Sequence, residues 1–172
     1  MPVSDIVTVE IVNARPEHAR AIAKIVAPYA QRRILISKDL IDYFEDIQEF
    51  LVAIEDGVVI GCGALHVLWE DLAEIRTLAV TEENIGRGIG RQLLTALELR
   101  ARELGILRLF CLTFECEFFS SAGFHEISGT PVGVDVYQEM ILSHDDGMAE
   151  FLDLARVKPN TLGNFRMLKE LD

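Results

Sequence analysis

Residues 85–91 read Ile85-Gly86-Arg87-Gly88-Ile89-Gly90-Arg91, between an apolar run over 74–80 and a helical pattern. Alternating glycines at a strand-to-helix junction let backbone N–H groups close on an anion, and the helix N-terminus adds a partial positive charge. The chemistry this suits is a pyrophosphate cradle, although a tight turn uses the same residues. Arg87 and Arg91 bracket the loop with no acidic residue between them, which predicts a local positive patch. The dinucleotide fingerprint is excluded because Arg91 stands where its third glycine belongs, and the P-loop because no Gly-Lys-Ser or Gly-Lys-Thr follows. A second constellation lies upstream, where Glu74 and Arg76 alternate and therefore share one face of a strand. A charge inside an apolar strand needs a partner, so Arg76 either pairs with Glu74 or takes a ligand carboxylate.

These residues must be positioned by the elements around them. Val7, Val9 and Ile11 alternate with polar neighbours as in a half-buried strand. After Pro16, Ala19, Ile22, Ala23 and Val26 recur at helical spacing until Pro28, and Leu40, Tyr43, Phe44 and Ile47 form a second stripe with Ser37 as N-cap. The runs 50–54 and 58–67 flank Glu55-Asp56-Gly57, a hairpin signal. The strand 74–80 leads through the glycine loop into a helix bearing Leu93, Ala96, Leu97 and Leu104, which Gly105 closes. The nearly continuous apolar run 106–113 predicts a central strand covered on both faces. A short helix over 117–122, a strand over 124–127, a helix capped at Thr130-Pro131 and reaching Leu142, and a last strand over 165–171 complete the order. The stretch 145–164 carries loop punctuation around a short apolar segment, 151–154. This succession predicts a mixed rather than purely parallel sheet.

With 172 residues the chain has one domain's worth of length. Half its residues are hydrophobic and 26% charged, a balance that fills a core. Sixteen Lys plus Arg against 28 Asp plus Glu give a formal charge of −12, which disfavours nucleic acid and anionic lipid as partners. The Met-Pro-Val-Ser-Asp start has no secretory pattern and no run reaches a membrane span, so a cytoplasmic protein is expected. Cys62, Cys111 and Cys116 fit reduced core thiols, and neither C-x-x-C nor H-E-x-x-H occurs, so no metal is expected. His66, on an apolar strand, fits a satisfied strand-end histidine.

The loop resembles motif A of the GCN5-related N-acetyltransferases (GNAT): Gln or Arg, two residues, Gly, one residue, then Gly or Ala. Gly88 and Gly90 match, and Ile85 stands where the Gln or Arg belongs. Leu78-Ala79-Val80 is similar to the family's fourth strand, and Phe118-Phe119-Ser120-Ser121-Ala122-Gly123-Phe124 resembles its motif B. The resemblance spans about 9–127. It implies the α/β GNAT fold, a mixed sheet of six to seven strands with helices on both faces. The whole chain, 1–172, is then one domain, with 128–172 supplying a helix, a loop and the last strand. It also implies acetyl-CoA as co-substrate, held by Leu78, Ala79, Val80, Ile85, Gly86, Arg87, Gly88, Ile89, Gly90, Arg91 and Phe119.

Within that superfamily, 52–67, 73–80, 109–113 and 164–168 resemble the acetyltransferase region of N-acetylglutamate synthases, in a short class without the amino-acid-kinase domain. The resemblance implies transfer of acetyl to the α-amine of glutamate, or of glutamine, for arginine biosynthesis. Val80 would then offer its N–H to the thioester oxygen, Glu74 would be the base, and Lys38, Arg76, Thr113 and Arg166 would contact the amino acid. Phe119 replaces the usual tyrosine acid and cannot donate a proton. That leaves Tyr137, Cys111, Ser120 or departure of the free thiolate. A homodimer and feedback inhibition by arginine are family expectations. Rival readings are acetylation of a polyamine, another amino acid or a protein N-terminus, and a non-catalytic acyl-CoA-binding regulator.

Overall fold

The computed structural model describes residues 8–154 and 164–172. Val7 and residues 155–163, with Pro159 and Gly163 among them, lie outside the described residues. The strands are β1 (Glu10–Asn13), β2 (Phe50–Glu55), β3 (Val58–Trp69), β4 (Leu72–Val80), β5 (Arg108–Thr113), β6 (His125–Glu126) and β7 (Phe165–Glu170). The helices are α1 (Ala19–Gln31), α2 (Leu40–Glu45), α3 (Ile89–Glu103), α4 (Cys116–Ser121), α5 (Val134–Met140) and α6 (Asp146–Phe151).

The strands form one sheet in the order β1-β2-β3-β4-β5-β7-β6. Every pair is antiparallel except β4 with β5, which the α3 crossover makes parallel. The mixed sheet is therefore the expected one, of the GNAT type. The middle position belongs to β4, not to the 106–113 run, because β1, β2 and β3 lie on one side of β4 and β5, β7 and β6 on the other.

Several element ends differ from the sequence reading. Helix α1 continues through Pro28 to Gln31, since proline's fixed φ is itself helical and only one hydrogen bond is lost. Asp39 rather than Ser37 caps α2, its backbone N–H bonding Asp42 Oδ2 at 2.9 Å. Gly133 rather than Thr130 precedes α5. The stretch read as loop contains α6, capped by Asp145, whose carboxylate accepts from the Met148 N–H.

Three apolar clusters hold these elements to the sheet. One joins α3 to one face through Leu93, Leu94 and Leu97 against Leu51, Ala73, Ile75 and Leu109. The other two share the opposite face. α1 and α2 pack Ile22, Val26 and Tyr43 over Phe50 and Val52, while α5 and α6 pack Met140, Met148 and Phe151 over Leu72 and Phe110. Burying each such side chain contributes about 1.5–3 kcal/mol. Between these two clusters, on the same face of β4, stand Glu74 and Arg76.

Candidate active site

The middle of β4 departs from regular geometry. Cys62 pairs with Ala79 and Ala64 with Arg76, so Thr77 and Leu78 together face Gly63 across a β-bulge. Thr77 has φ 54°, a conformation that costs a β-branched residue of order 1–3 kcal/mol. The bulge swings Leu78 against Gly63, where a Cβ would lie 3.0 Å from Leu78 Cδ1 and 2.9 Å from Leu97 Cδ1. Glycine at 63 is thus the space that the bulge requires.

Already before the bulge β4 leaves β5: their parallel pairing covers only Leu72–Glu74 against Arg108–Phe110. Val80 lies opposite Gly61, while the next residue, Thr81, donates its N–H to the Ile60 carbonyl at 2.9 Å. Hydrogen-bonded positions alternate in an antiparallel pair, so the Val80 N–H and C=O point away from β3, into the gap that β5 has vacated. Tyr29 of α1 donates its hydroxyl to that carbonyl at 2.6 Å, which fixes the peptide.

The glycine loop sits at the end of this gap. Gly86 and Gly88 have φ of 87° and 79°, and a Cβ on either would meet nothing within 4 Å, so their backbone borders open space. Gly88 is the N-cap of α3. Gly90 lies against Phe118, and Ile85 is exposed. The positive patch is weaker than the sequence suggests, because Arg87 spends its guanidinium on Glu55, at 2.6 and 3.2 Å, and on Asn84 at 2.6 Å. Arg91 ties α3 to α4 through Ser121 Oγ at 2.9 Å and its carbonyl at 3.0 Å. Ile89 and Phe119 are core residues. Phe119 stacks edge-on with Phe118 and Phe124, so its side chain packs α4 against the core.

On the Glu74 face a cleft of about 340 Å³ opens between the α1–α2 and α5–α6 clusters. Its walls include Lys38, Asp42 and Asp46 on one side and His144, Asp145 and Gly147 on the other, with Glu74, Arg76 and Thr77 on its floor. The Glu74 and Arg76 side chains are only 6% and 9% exposed. Arg76 Nε donates to Glu74 Oε2 at 3.0 Å, and the other two nitrogens donate to Asp145, at 3.1 Å to Oδ1 and 2.7 Å to Oδ2. The internal ion pair is therefore formed, and it is extended by a carboxylate 69 residues away that the sequence reading missed. His66, read as a bland residue, joins it: Nδ1 is 2.7 Å from Glu49 Oε1 and Nε2 is 3.8 Å from Asp145 Oδ2.

Burial raises the Glu74 pKa more than Arg76 and His66 lower it. Asp145 is also raised by burial, but the Arg76 hydrogen bonds and charge outweigh this and hold its carboxyl below the usual value. Glu74 is thus the more basic of the two, beside a guanidinium that both carboxylates keep protonated. Lys38 Nζ is 3.7 Å from Asp46 Oδ2 at the cleft wall.

Other expected site residues fall elsewhere. Tyr137 packs against the α5–α6 cluster and does not line the cleft. Arg166 donates to the carbonyls of Gly129, Glu150 and Phe151 and lies over the Phe110 ring, so its fork secures the end of α6. Thr113 Oγ1 accepts from the Glu115 N–H at 2.8 Å, closing the turn after β5. Burial pushes Cys62 up to about 12 and Cys111 well above an ordinary thiol, consistent with core thiols. Among the described residues no group of three His, Cys, Asp or Glu is placed to hold a metal ion, and no helix is long and apolar enough to cross a membrane.

Comparison with known proteins agrees with this geometry. The chain is 52% identical over 159 residues to the amino-acid acetyltransferase of Mycobacterium tuberculosis, covering 91% of each protein. It is 32% identical over 135 residues to that of Aeromonas salmonicida, of which it spans only 30%. The crystal structure of Rv2747 from Mycobacterium tuberculosis, in complex with CoA and a further ligand, superposes with a TM-score of 0.92 at 51% identity, over 95% of this chain and 99% of that one. The N-acetylglutamate synthase of Neisseria gonorrhoeae, in complex with CoA and N-acetyl-glutamate, gives 0.77 at 25% identity, over 96% of this chain and 35% of that one. Residues 19–129 match the acetyltransferase (GNAT) family, and the chain belongs to it.

Proposed function

We propose that this GNAT enzyme moves the acetyl group of acetyl-CoA to the α-amine of L-glutamine or L-glutamate. The observation that carries the reading is the buried Glu74 carboxylate beside Arg76, on the floor of a cleft below the point where β4 leaves β5. The co-substrate fits the chain's own residues. Gly86 and Gly88 present backbone against open space at the start of α3, suited to the pyrophosphate, and the gap past Leu78 to Val80 suits the arm that carries the thioester. Acetyl-CoA supplies an activated acyl carbon.

Glu74 takes a proton from the substrate ammonium, directly or through water, and its raised pKa makes it a better base than an exposed glutamate. The Val80 N–H is the donor for the oxygen that becomes negative as the amine adds, and Tyr29 holds that peptide in place. A free thiol has a pKa of about 8.5, so CoA departs as the thiolate without a protein acid. Lys38 and Arg76 read the substrate's α-carboxylate. Seven carboxylates against the cations Lys38 and Arg76 line the cleft, which favours the neutral side chain of glutamine over that of glutamate. The cytoplasm and arginine biosynthesis are the setting for such a product.

The same acidic excess supports a second reading, a polyamine acceptor. The two are separated by incubating the enzyme with acetyl-CoA and an equimolar mixture of the amino acids and spermidine, then identifying products by mass. An N-acetylated glutamine or glutamate is expected, and acetylspermidine alone overturns the proposal.

A further inference from the structure

Arg76 already holds the posture in which arginine grips a ligand carboxylate. Its two terminal nitrogens make parallel bonds to the two oxygens of Asp145, at 3.1 and 2.7 Å. The surroundings are shaped to this contact. A Cβ on Gly147 would collide with a terminal nitrogen and Cζ of Arg76 and stand 2.9 Å from Nε, so glycine there lets the guanidinium lie against the α6 backbone. Gly147 is not among the residues with positive φ, so its smallness rather than its conformational freedom is what matters.

Asp145 also has a second partner within reach. His66 Nε2 is 3.8 Å from Oδ2, and Glu49 holds the other ring nitrogen at 2.7 Å. α6 itself is anchored separately, with Met148 and Phe151 buried in the α5–α6 cluster and Ala149 also buried. Asp145 precedes α6 as its N-cap, so its carboxylate turns from one partner to the other by giving up the Met148 N–H while those anchors stay in place.

We propose that Asp145 is an internal stand-in for the substrate's α-carboxylate: it occupies the Arg76 fork before the amino acid binds and yields it by turning to His66. The inference rests on the reading of Arg76 as a carboxylate-binding residue. A site whose binding-competent state is only partly populated has its affinity reduced by that fraction. Asp145 is therefore a specificity-setting residue: a ligand without a carboxylate cannot displace it.

The test is Asp145→Asn, which keeps the α6 cap because asparagine caps as well as aspartate but weakens the grip on Arg76. If Asp145 holds the fork nine-tenths of the time, KM for L-glutamine falls about tenfold. Asp135→Asn is the control, because Asp135 is exposed at the start of α5, outside the cleft, and its replacement removes an equal charge. A fall in KM for Asp145→Asn with a change under about twofold for Asp135→Asn supports the exchange. Equal falls, or an unchanged or raised KM for Asp145→Asn, overturn it while Arg76→Gln still abolishes saturation. If Arg76→Gln leaves KM unchanged, the reading of Arg76 itself fails. Should Asp145→Asn not fold, exchange of the Met148 amide in the wild-type protein decides: L-glutamine with CoA speeds it if Asp145 leaves its cap, and slowed or unaltered exchange overturns the exchange mechanism.

Discussion

Replacing Glu74 by glutamine removes the proposed base and little else. The substituted side chain keeps an amide oxygen to accept from Arg76 Nε, and Arg76 keeps both bonds to Asp145, so the guanidinium is not stranded. The loss in stability is that of one charge-assisted hydrogen bond becoming neutral, about 1 kcal/mol, well inside a folding free energy of about 5–15 kcal/mol. Loss of a general base costs about 10²–10⁴ in rate, or roughly 2.7–5.5 kcal/mol in the barrier. The assay is kcat/KM from CoA-thiol release across pH. In the wild type, activity falls as pH drops through the Glu74 pKa, and burial places that limb above the ordinary carboxylate value. In Glu74→Gln the limb disappears and the remaining rate rises with pH as the free amine becomes populated. A loss below about tenfold, or an unmoved acid limb in a folded variant, refutes Glu74 as the base.

Two further substitutions separate structural from binding roles. Arg166→Ala removes three bonds to backbone carbonyls and the contact over Phe110, costing about 2–3 kcal/mol and lowering Tm by about 4–10 °C, with KM for the amino acid unchanged; a raised KM at constant Tm would restore it as a substrate contact. Gly88→Ala forces a left-handed φ on alanine at a cost of about 1–2 kcal/mol and places a methyl beside the loop, so KM for acetyl-CoA rises while that for the amino acid does not. Equal rises in both constants would contradict the division between cradle and cleft.

Much of this site could be read from local pattern. The glycine loop, the strand before it and the Asp56-Gly57 hairpin depend on neighbours in sequence, and each is found where the pattern puts it. Glu74 and Arg76 shared a face because alternation demanded it. What escaped were the features set by distant contacts. The bulge at Thr77 needs Gly63 on another strand, and Thr77 by type gives no hint of a positive φ. Asp145 carries no signal at the edge of the 145–164 stretch, because its role as cap and Arg76 partner exists only once α6 docks beside β4. Arg87 looked free because its partner, Glu55, lies in the β2–β3 hairpin. Phe119 and Tyr137 pack into clusters assembled from distant elements, contacts that no local pattern carries.

In the proposed reaction Lys38 and Arg76 select a carboxylate-bearing amine in the cleft while acetyl-CoA binds along the β4 gap and glycine loop. The measurement that tests it most directly is the steady-state kinetics of L-glutamine, L-glutamate and spermidine with the wild type, Lys38→Ala and Arg76→Ala. Saturable turnover of the amino acids alone is expected, with each variant raising their KM by about tenfold or more and leaving that for acetyl-CoA within about twofold. Turnover of spermidine alone, or an amino-acid KM indifferent to both variants, would contradict it.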